Sequence, residues 1–299
     1  MEMKMIGNKI SEARKKLNKS QAELAQQLFI SPQAVGKWER GESIPDLITF
    51  NRLAKVFGVD LNYFSEDFAS AGETKQTESP GSPGLTDAHD LVSFSGSNLP
   101  DSDFSEIIAH KRKFKGSALR GSNFSKADLT GSSFIASDLR EANFDGANLK
   151  DCVFAAVDLA DASFNGTSLT GTEFSRSGLM GTRFIGANLT GTKLGKTDLR
   201  TTLFENCVFE GVDFKYSDLS GVCFDDQVFT GVKFNNTALH ETSFKGATLR
   251  NVSFRAQYAL TNKYYRVLKT ICFNGAAMDK LTYAALKGVG VDLSGVRII

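Results

Sequence analysis

The feature that most constrains the fold is a spacing of five: from Phe94 to Phe254 nearly every fifth residue is large and apolar, without a single insertion. A helix turns by about 100° per residue, so this spacing would scatter the apolar side chains around its axis. A strand has a period of two, so an odd spacing would send successive side chains to opposite faces. The apolar residues share one interior only if the chain turns a corner in every repeat. The spacing therefore predicts a solenoid.

The identity of the large residue alternates along this frame. Of the 17 positions in the series that starts at Phe94, 16 are Phe and Leu194 is the exception, whereas 13 of the 16 positions in the series that starts at Leu99 are Leu. A ten-residue alternation requires an even number of sides, and two sides leave no room for a filled interior. We therefore predict four sides and about 20 residues per turn, with Phe on two opposite faces. Phe209 and Phe229 interrupt the Leu series one predicted turn apart, so they are expected to stack on each other.

The residue two places before each large one is usually small, as at Ser122 and Thr172. Residues two apart on an extended piece share a face, so each repeat is expected to point one large and one small side chain inward. Such an interior is filled, and no small-molecule ligand is expected inside it.

One stretch departs from the pattern at the start of the coil. Residues 105–115 place Ala109 and Arg112 at inward positions. We expect this segment to leave the coil as a solvated basic loop or a cap.

The repeats resemble a known family. ADLTG at 127–131, ANLKD at 147–151 and ANLTG at 187–191 match the A(D/N)LXX consensus of pentapeptide-repeat proteins, and the resemblance covers residues 92–256. It implies a right-handed quadrilateral β-helix, in agreement with the four sides inferred from the alternation. Some members of this family imitate DNA and bind type II topoisomerases, and some pair through their C-terminal ends.

Residues 257–299 are expected to form a helical C-terminal cap, because the open strand edges at the end of a solenoid must be covered. One helix is predicted from helical apolar spacing and a second over about 279–287, ending at Gly288. The apolar residues of the first are Leu260, Tyr264, Val267, Leu268 and Ile271. The last four residues, VRII, leave two interpretations open: a cap alone, or a cap that is also a homodimer interface.

Within the cap the frame of five returns in a new phase. It places Phe273 and Met278 at inward positions, and Leu293 and Ile298 continue it. This predicts one last half-turn of solenoid after the helices.

Residues 1–65 change to helical periodicity and predict a compact all-α domain of five short helices. Ser20 and Glu23 have the spacing of a capping box, and Ser31 can cap the next helix. The stretch SQAELAQQLFISPQAVGKWERG resembles the helix-turn-helix of the Cro/repressor (XRE) family, and this resemblance covers residues 5–64. It implies a DNA-binding domain.

The recognition helix of that resemblance is residues 32–40. Gln33 can bond an adenine edge and Lys37 a guanine edge, while Pro32 and Ala34 can contact a thymine methyl group. We therefore expect these four residues to contact bases.

Other residues are expected to contact the DNA phosphates or to stabilise the fold of the domain. The expected phosphate contacts are Lys19, Gln21, Ser31 and Arg40. The resemblance also implies a structural salt bridge between Arg14 and Glu39. Gly36 lies inside the predicted recognition helix, although Gly in a helix costs up to about 1 kcal/mol relative to Ala.

The charge is distributed unevenly along the chain, although the net charge is only +1. Residues 1–65 carry a net +3, residues 66–91 a net −5, residues 92–256 a net −1 and residues 257–299 a net +4. The segment 66–91 is rich in Ser, Gly, Pro and acidic residues, which predicts a flexible linker that avoids DNA.

Several classes of function are not expected. The chain has no apolar run of about 18 residues and no signal peptide, so we expect a cytoplasmic protein without a membrane partner. Its 4 Cys show no paired CxxC spacing, and its 3 His accompany no catalytic or metal-binding motif. Neither an enzyme activity nor a metal or other cofactor is expected.

The leading hypothesis is a sequence-specific, bacterial-type transcription regulator that binds double-stranded DNA as a dimer on two half-sites. The solenoid would then serve for dimerisation or dock an unknown protein partner. The alternative is a DNA-mimicking protein that acts on DNA gyrase or topoisomerase and protects it from quinolones; the net −1 of the repeats counts against it. A third hypothesis, an interaction scaffold that the helix-turn-helix merely localises, fits the same residues.

Overall fold

The computed structural model describes residues 2–64, 94–255 and 266–299. These residues fall into two compact units, an N-terminal helical domain and a solenoid that begins at Phe94. The predicted linker at 66–91 and the first half of the helix predicted after residue 257 lie outside the described residues. Within the described ranges, no helix combines the length and the apolar composition needed to cross a membrane.

The N-terminal unit contains four α-helices and a 3-10 helix, in agreement with the predicted all-α domain. The elements are α1 (Glu2–Lys16), α2 (Gln21–Leu28), α3 (Pro32–Glu39), α4 (Leu47–Phe57) and the 3-10 helix Leu61–Phe64. Their apolar sides meet in one core. The large buried members are Ile6, Ile10, Leu24, Leu28, Val35, Trp38, Phe50, Leu53, Phe57, Leu61 and Phe64.

The boundaries of α2 and α3 follow from capping residues. Ser20 Oγ accepts a hydrogen bond from the Glu23 amide at 3.2 Å, and the Ser20 amide donates to Glu23 Oε2 at 2.6 Å, which confirms the predicted capping box. Ser31 Oγ accepts from the Ala34 amide at 3.3 Å and begins α3. Phe29 ends α2 in the left-handed conformation with φ 56°. This short turn separates the two helices that give a helix-turn-helix its shape.

The second unit is a parallel β-solenoid of about nine turns. Most strands pair with the strand one turn later, as in Lys113 with Ser133 and Phe134 with Phe154. The predicted turn of 20 residues is therefore confirmed. The strands are β1 (Lys113–Lys115), β2 (Ser133–Ile135), β3 (Val153–Ala155), β4 (Glu173–Ser175), β5 (Arg183–Ile185), β6 (Lys193–Gly195), β7 (Leu203–Glu205), β8 (Phe209–Glu210), β9 (Val228–Thr230), β10 (Thr248–Arg250), β11 (Ala277–Met278) and β12 (Arg297–Ile298).

The phenylalanines fill the interior as two facing columns. Rings one turn apart on the same side are stacked, as in Phe134 and Phe154, whose centroids lie 4.8 Å apart at an interplanar angle of 3°. Rings from opposite sides meet edge to face, as in Phe144 and Phe154 at 5.8 Å and 89°. Both arrangements are favourable for aromatic rings. The exceptional pair Phe209 and Phe229 stacks at 4.7 Å, as the sequence predicts.

The small inward positions carry hydrogen bonds as well as bulk. The hydroxyl of Thr172 donates to the Leu149 carbonyl at 2.7 Å, and Thr192 makes the corresponding bond to Leu169 at 2.8 Å. Each bond joins one turn to the next, and it gives the buried threonine hydroxyl a partner. Cys152 occupies the same kind of position, with Sγ 3.0 Å from the Leu129 carbonyl.

The segment 105–115 corrects one expectation. Ala109 is fully buried and Arg112 is 3% exposed, so the segment does not leave the coil as a loop. The backbone explains why: the Lys111 amide donates to the Thr130 carbonyl at 2.9 Å, and Lys113 begins β1 in register with β2. The inter-turn hydrogen bonds outweigh two unusual inward side chains.

The four sides of the solenoid are numbered by their central residues. Face 1 is centred on Phe94, Phe114 and every 20th residue thereafter, face 2 on the series from Leu99, face 3 on the series from Phe104 and face 4 on the series from Ala109. The outward side chains of each face are the residue before the central one and the two residues after it.

The C-terminal end resumes the coil after an insertion. Phe273 stacks on Phe244 with centroids 5.4 Å apart, and Met278 pairs with Leu249 and Ile298. The sequence correctly predicted this return in a new phase. Residues 266–268 are helical, and α5 (Lys280–Gly288) ends at the predicted glycine.

Candidate nucleic-acid interface

The recognition helix α3 has a buried side and an exposed side. Val35 is fully buried and Trp38 is 8% exposed, which anchors the helix in the core. On the other side Gln33, Lys37 and Arg40 are exposed, and their spacing of four and three residues places them along one stripe. A helix presented in this way can enter a major groove with polar side chains directed at base edges.

The first turn of α3 carries the other expected base contacts. Pro32 is exposed and Ala34 is half-buried. Ser31, also exposed, uses Oγ to cap the helix through the Ala34 amide, and it can contact a phosphate from the same place. The partial positive charge of a helix N-terminus favours an approaching phosphate.

Three helices are joined by hydrogen bonds to the carboxylate of Glu39, at the end of α3. Arg14 from α1 donates to it through Nε at 2.6 Å and Nη2 at 3.0 Å. Gln21 from α2 donates through Nε2 at 2.7 Å. Both charged side chains are nearly buried, with 11% of Arg14 and 8% of Glu39 exposed. This ion pair therefore fixes the three helices relative to one another.

The pKa of Glu39 reflects the same contacts. Burial alone would raise this pKa, because it disfavours the charged carboxylate. The hydrogen bonds from Arg14 and Gln21, together with the positive charge of Arg14, outweigh burial and hold the pKa of Glu39 below its ordinary value. Glu39 is therefore ionised at neutral pH and is a structural residue.

Gln21 and Lys19 stand near this network. The Gln21 amide has two N–H groups, so it can bond both Glu39 and a phosphate. The Lys19 carbonyl accepts a hydrogen bond from Arg14 Nη1 at 2.6 Å, and this half-buried residue closes the turn before α2.

The packing also explains Gly36, which is buried in α3. A Cβ at this position would lie 3.1 Å from Arg40 Nη1 and 3.5 Å from Gln21 Oε1. Glycine thus leaves room for two side chains that are expected to bind phosphates, and its low helix propensity is offset by that space.

Arg40 has a partner that the sequence did not reveal. Its guanidinium donates to the Glu42 carboxylate at 2.6 and 3.1 Å, in an exposed pair. The bonds from Arg40 lower the pKa of Glu42, so the carboxylate is charged at neutral pH. In the absence of DNA, the Glu42 carboxylate is therefore bound to the Arg40 guanidinium, the group that we expect to bind a phosphate. Residues two apart are not an ordinary helix pair, so spacing alone gave no signal.

Family models match both parts of the chain. A helix-turn-helix model matches residues 10–64, and a model of the pentapeptide repeat region matches residues 89–164 and 157–228. The chain joins a helix-turn-helix domain to a pentapeptide-repeat domain. No curated protein matches the chain.

Solved structures of pentapeptide-repeat proteins match the solenoid. HetL from the cyanobacterium Nostoc sp. strain PCC 7120, described as involved in heterocyst differentiation regulation, is 20% identical with a TM-score of 0.48, over 63% of this chain and 92% of HetL. QnrB1, described as a plasmid-mediated fluoroquinolone resistance protein, is 22% identical with a TM-score of 0.33, over 68% of this chain and 99% of QnrB1. Rfr23 from the cyanobacterium Cyanothece 51142 is 22% identical with a TM-score of 0.25, over 42% of this chain and 86% of Rfr23.

Proposed function

We propose that the protein is a sequence-specific transcription regulator whose helix-turn-helix domain binds an operator. The observation that carries the proposal is the exposed stripe of Gln33, Lys37 and Arg40 on a helix whose other side is anchored by Val35 and Trp38. Side chains held on a rigid element can discriminate bases, because their positions are set before DNA arrives.

Each expected contact has a role in this proposal. Gln33 bonds an adenine and Lys37 a guanine, while Pro32 and Ala34 contact thymine methyl groups. The phosphate contacts hold the helix in register in the groove without reading sequence. They are Lys19, Gln21, Ser31 and Arg40.

Selection of bound DNA from a random duplex library tests this proposal. The full-length protein is compared with the double variant Gln33→Ala/Lys37→Ala, in which both substituted side chains are exposed and outside the core. We expect a palindromic site that the variant fails to enrich. If the native protein enriches no sequence, the helix-turn-helix domain does not read bases and the proposal is wrong.

Two half-sites require two copies, and we propose that the C-terminal cap brings them together. Leu281, Ile298 and Ile299 are 77%, 47% and 44% exposed, and β12 is the last strand of its sheet. Exposed apolar side chains beside an open strand edge favour pairing with a second chain. Light scattering should give the mass of a dimer, and Ile298→Glu should give a monomer. A monomeric native protein would leave the solenoid as the docking site for an unknown protein.

A second candidate function rests on the charge of two neighbouring faces. Face 2 carries three basic and eight acidic side chains, a net charge of −5, and face 3 carries three basic and six acidic, a net charge of −3. A negative surface of this kind is what a DNA mimic presents to DNA gyrase or topoisomerase.

Ion pairs on face 2 make this second candidate weaker than the regulator. Arg140 binds Asp138 at 2.5 Å, and Arg200 binds Asp198 at 2.7 Å. Part of the negative charge is thus neutralised within the chain. We expect the protein to leave the supercoiling activity of gyrase unchanged; inhibition of the enzyme, or its protection from a quinolone, would favour the mimic instead.

A further inference from the structure

The net charge of the solenoid conceals a strongly basic side. Face 1 carries eight basic and two acidic side chains, a net charge of +6, in contrast to the negative faces 2 and 3. All eight basic residues are exposed. They are Lys113, Lys115, Arg176, Lys193, Lys196, Lys215, Lys233 and Arg255.

Six of these cations form what we call the basic patch. It consists of Arg176, Lys193, Lys196, Lys215, Lys233 and Arg255. Four turns of the coil separate its ends, which corresponds to roughly 20 Å at a spacing of about 4.8 Å per strand.

Carboxylates neutralise little of the basic patch. Among the residues that the structure describes, the only ion pair on face 1 joins Lys193 Nζ to Glu173 at 3.4 Å. Both members are exposed, and an exposed pair is readily exchanged for another anion. The arginines of face 2, in contrast, each hold a carboxylate.

Four cations of the basic patch, Arg176, Lys193, Lys196 and Lys215, line a concave depression of about 440 Å³ on the outer surface of the coil, together with the carboxylates of Glu173 and Asp213. The depression forms because two of the outward positions, Ser175 and Gly195, carry a small side chain or none. Tyr216 borders it, 45% exposed, with Lys215 Nζ 5.0 Å from the ring centre. Tyr216 has a positive φ of 66°, a conformation that recurs at the corresponding corner of many repeats, such as Lys196 at 58° and Asn236 at 55°.

We propose that the basic patch is a sequence-independent binding surface for the phosphate backbone of duplex DNA. A duplex presents one negative charge per about 1.7 Å and releases counterions when lysines and arginines approach it. The long basic side chains extend from a regular face and can follow such a backbone, and the depression admits a phosphate ridge between Lys196 and Lys215.

A second copy of this chain fits the basic patch less well than DNA. The most acidic side of its solenoid is face 2, where Arg140 and Arg200 already bind carboxylates. The phosphates of duplex DNA are accompanied only by mobile counterions, which lysines and arginines displace. The proposal goes beyond operator recognition, since it requires no particular sequence.

The salt dependence of binding measures the number of phosphates contacted. The logarithm of the association constant falls with the logarithm of salt concentration by about 0.9 for each phosphate contact. Removing three contacts should therefore reduce the slope by about 2.7 and weaken binding at low salt by well over tenfold.

The test uses full-length protein, a fluorescently labelled duplex of arbitrary sequence and binding isotherms between about 0.05 and 0.2 M salt. The patch variant is Arg176→Gln/Lys196→Gln/Lys215→Gln. The matched control, Lys126→Gln/Lys150→Gln/Lys245→Gln, removes three exposed cations from faces 3 and 4, so its net charge is identical. Far-ultraviolet circular dichroism checks that both variants keep the fold.

We expect the slope of the patch variant to fall by 2 to 3, as about 0.9 per contact predicts, and that of the control by less than about 0.5. Equal slopes for the two variants would overturn the proposal. A parallel titration measures the binding of polyglutamate to the same proteins. If the patch variant lost binding to polyglutamate while its DNA slope stayed unchanged, the face would serve an acidic protein and the proposal would be overturned. Because the duplex has arbitrary sequence, these outcomes do not depend on whether the helix-turn-helix domain selects an operator.

Discussion

Replacement of Glu39 by Gln tests whether the buried ion pair holds the helix-turn-helix domain together. The substitution keeps the size of the side chain and removes its charge. It leaves Arg14, which is only 11% exposed, without an anionic partner. A cation that loses its partner in such a site keeps its desolvation cost, so the domain should lose stability.

The magnitude follows from the three hydrogen bonds to the carboxylate, at 2.6, 2.7 and 3.0 Å. Breaking a buried pair costs about 3 to 5 kcal/mol, and Gln can still accept one bond, so we expect about 3 kcal/mol. A domain of this size has roughly 3 to 9 kcal/mol in total. With a urea dependence of about 1 kcal/mol per molar, the midpoint should fall by about 3 M.

Tryptophan fluorescence isolates this domain in the full-length protein. The chain contains 1 Trp, and Trp38 is 8% exposed in α3. Its emission during urea unfolding therefore reports on the helix-turn-helix domain alone. The matched control is Glu42→Gln, whose pair with Arg40 has the same shortest distance of 2.6 Å but is exposed. The control should leave the midpoint unchanged. A midpoint shift for Glu39→Gln no larger than that of the control would refute the reasoning.

The pH dependence provides an independent check of the same pair. The pKa of Glu39 is lowered in the folded state, so its stabilisation is present above the unfolded pKa of about 4.3 and is lost as pH falls through the folded pKa. Stability of the native domain should therefore decrease below about pH 4.5 more steeply than that of Glu39→Gln. Parallel pH curves for the two proteins would contradict this assignment.

Three further predictions concern the DNA interface and the interior of the solenoid. Glu42→Gln should strengthen DNA binding severalfold, because it frees the guanidinium of Arg40 and removes a nearby negative charge; weaker binding in an anisotropy titration would contradict this. Phe154→Ala should cost the solenoid about 3 to 5 kcal/mol, measured by circular dichroism, because it empties one place in a stacked column. Burial raises the pKa of the Cys152 thiol to about 12, so a thiol reagent should label the exposed Cys223 rapidly and Cys152 only after unfolding. Equal labelling rates would contradict that burial.

The architecture could be predicted because the solenoid is a direct consequence of its repeat. The frame of five has no insertion between Phe94 and Phe254, so one register determines every turn. Even the irregular pair Phe209 and Phe229 followed from it. Arg112 was mispredicted because the sequence shows an unsuitable inward side chain but does not show the backbone hydrogen bonds that retain it.

The surface was harder to predict than the interior. Counting charge along the sequence gave −1 for the repeats, whereas sorting the same residues by a period of 20 separates a face of +6 from one of −5. The predicted turn of 20 residues already permits that sorting, so the charge of each face follows from the sequence once residues are grouped by face, whereas a net charge for the whole segment averages the faces together. The bond between Arg40 and Glu42 lay beyond sequence reasoning for another reason, since it forms just after α3 ends, where no periodicity applies.

The central claim is that α3 reads bases, and the most direct measurement is the affinity of Gln33→Ala for the selected operator and for its single-base variants. We predict that the substitution costs about 1 to 3 kcal/mol on the preferred site and removes discrimination at one base pair, while discrimination at the other positions remains. A uniform loss across all sites would mean that Gln33 only supports backbone contacts. Unchanged affinity and specificity would contradict the claim.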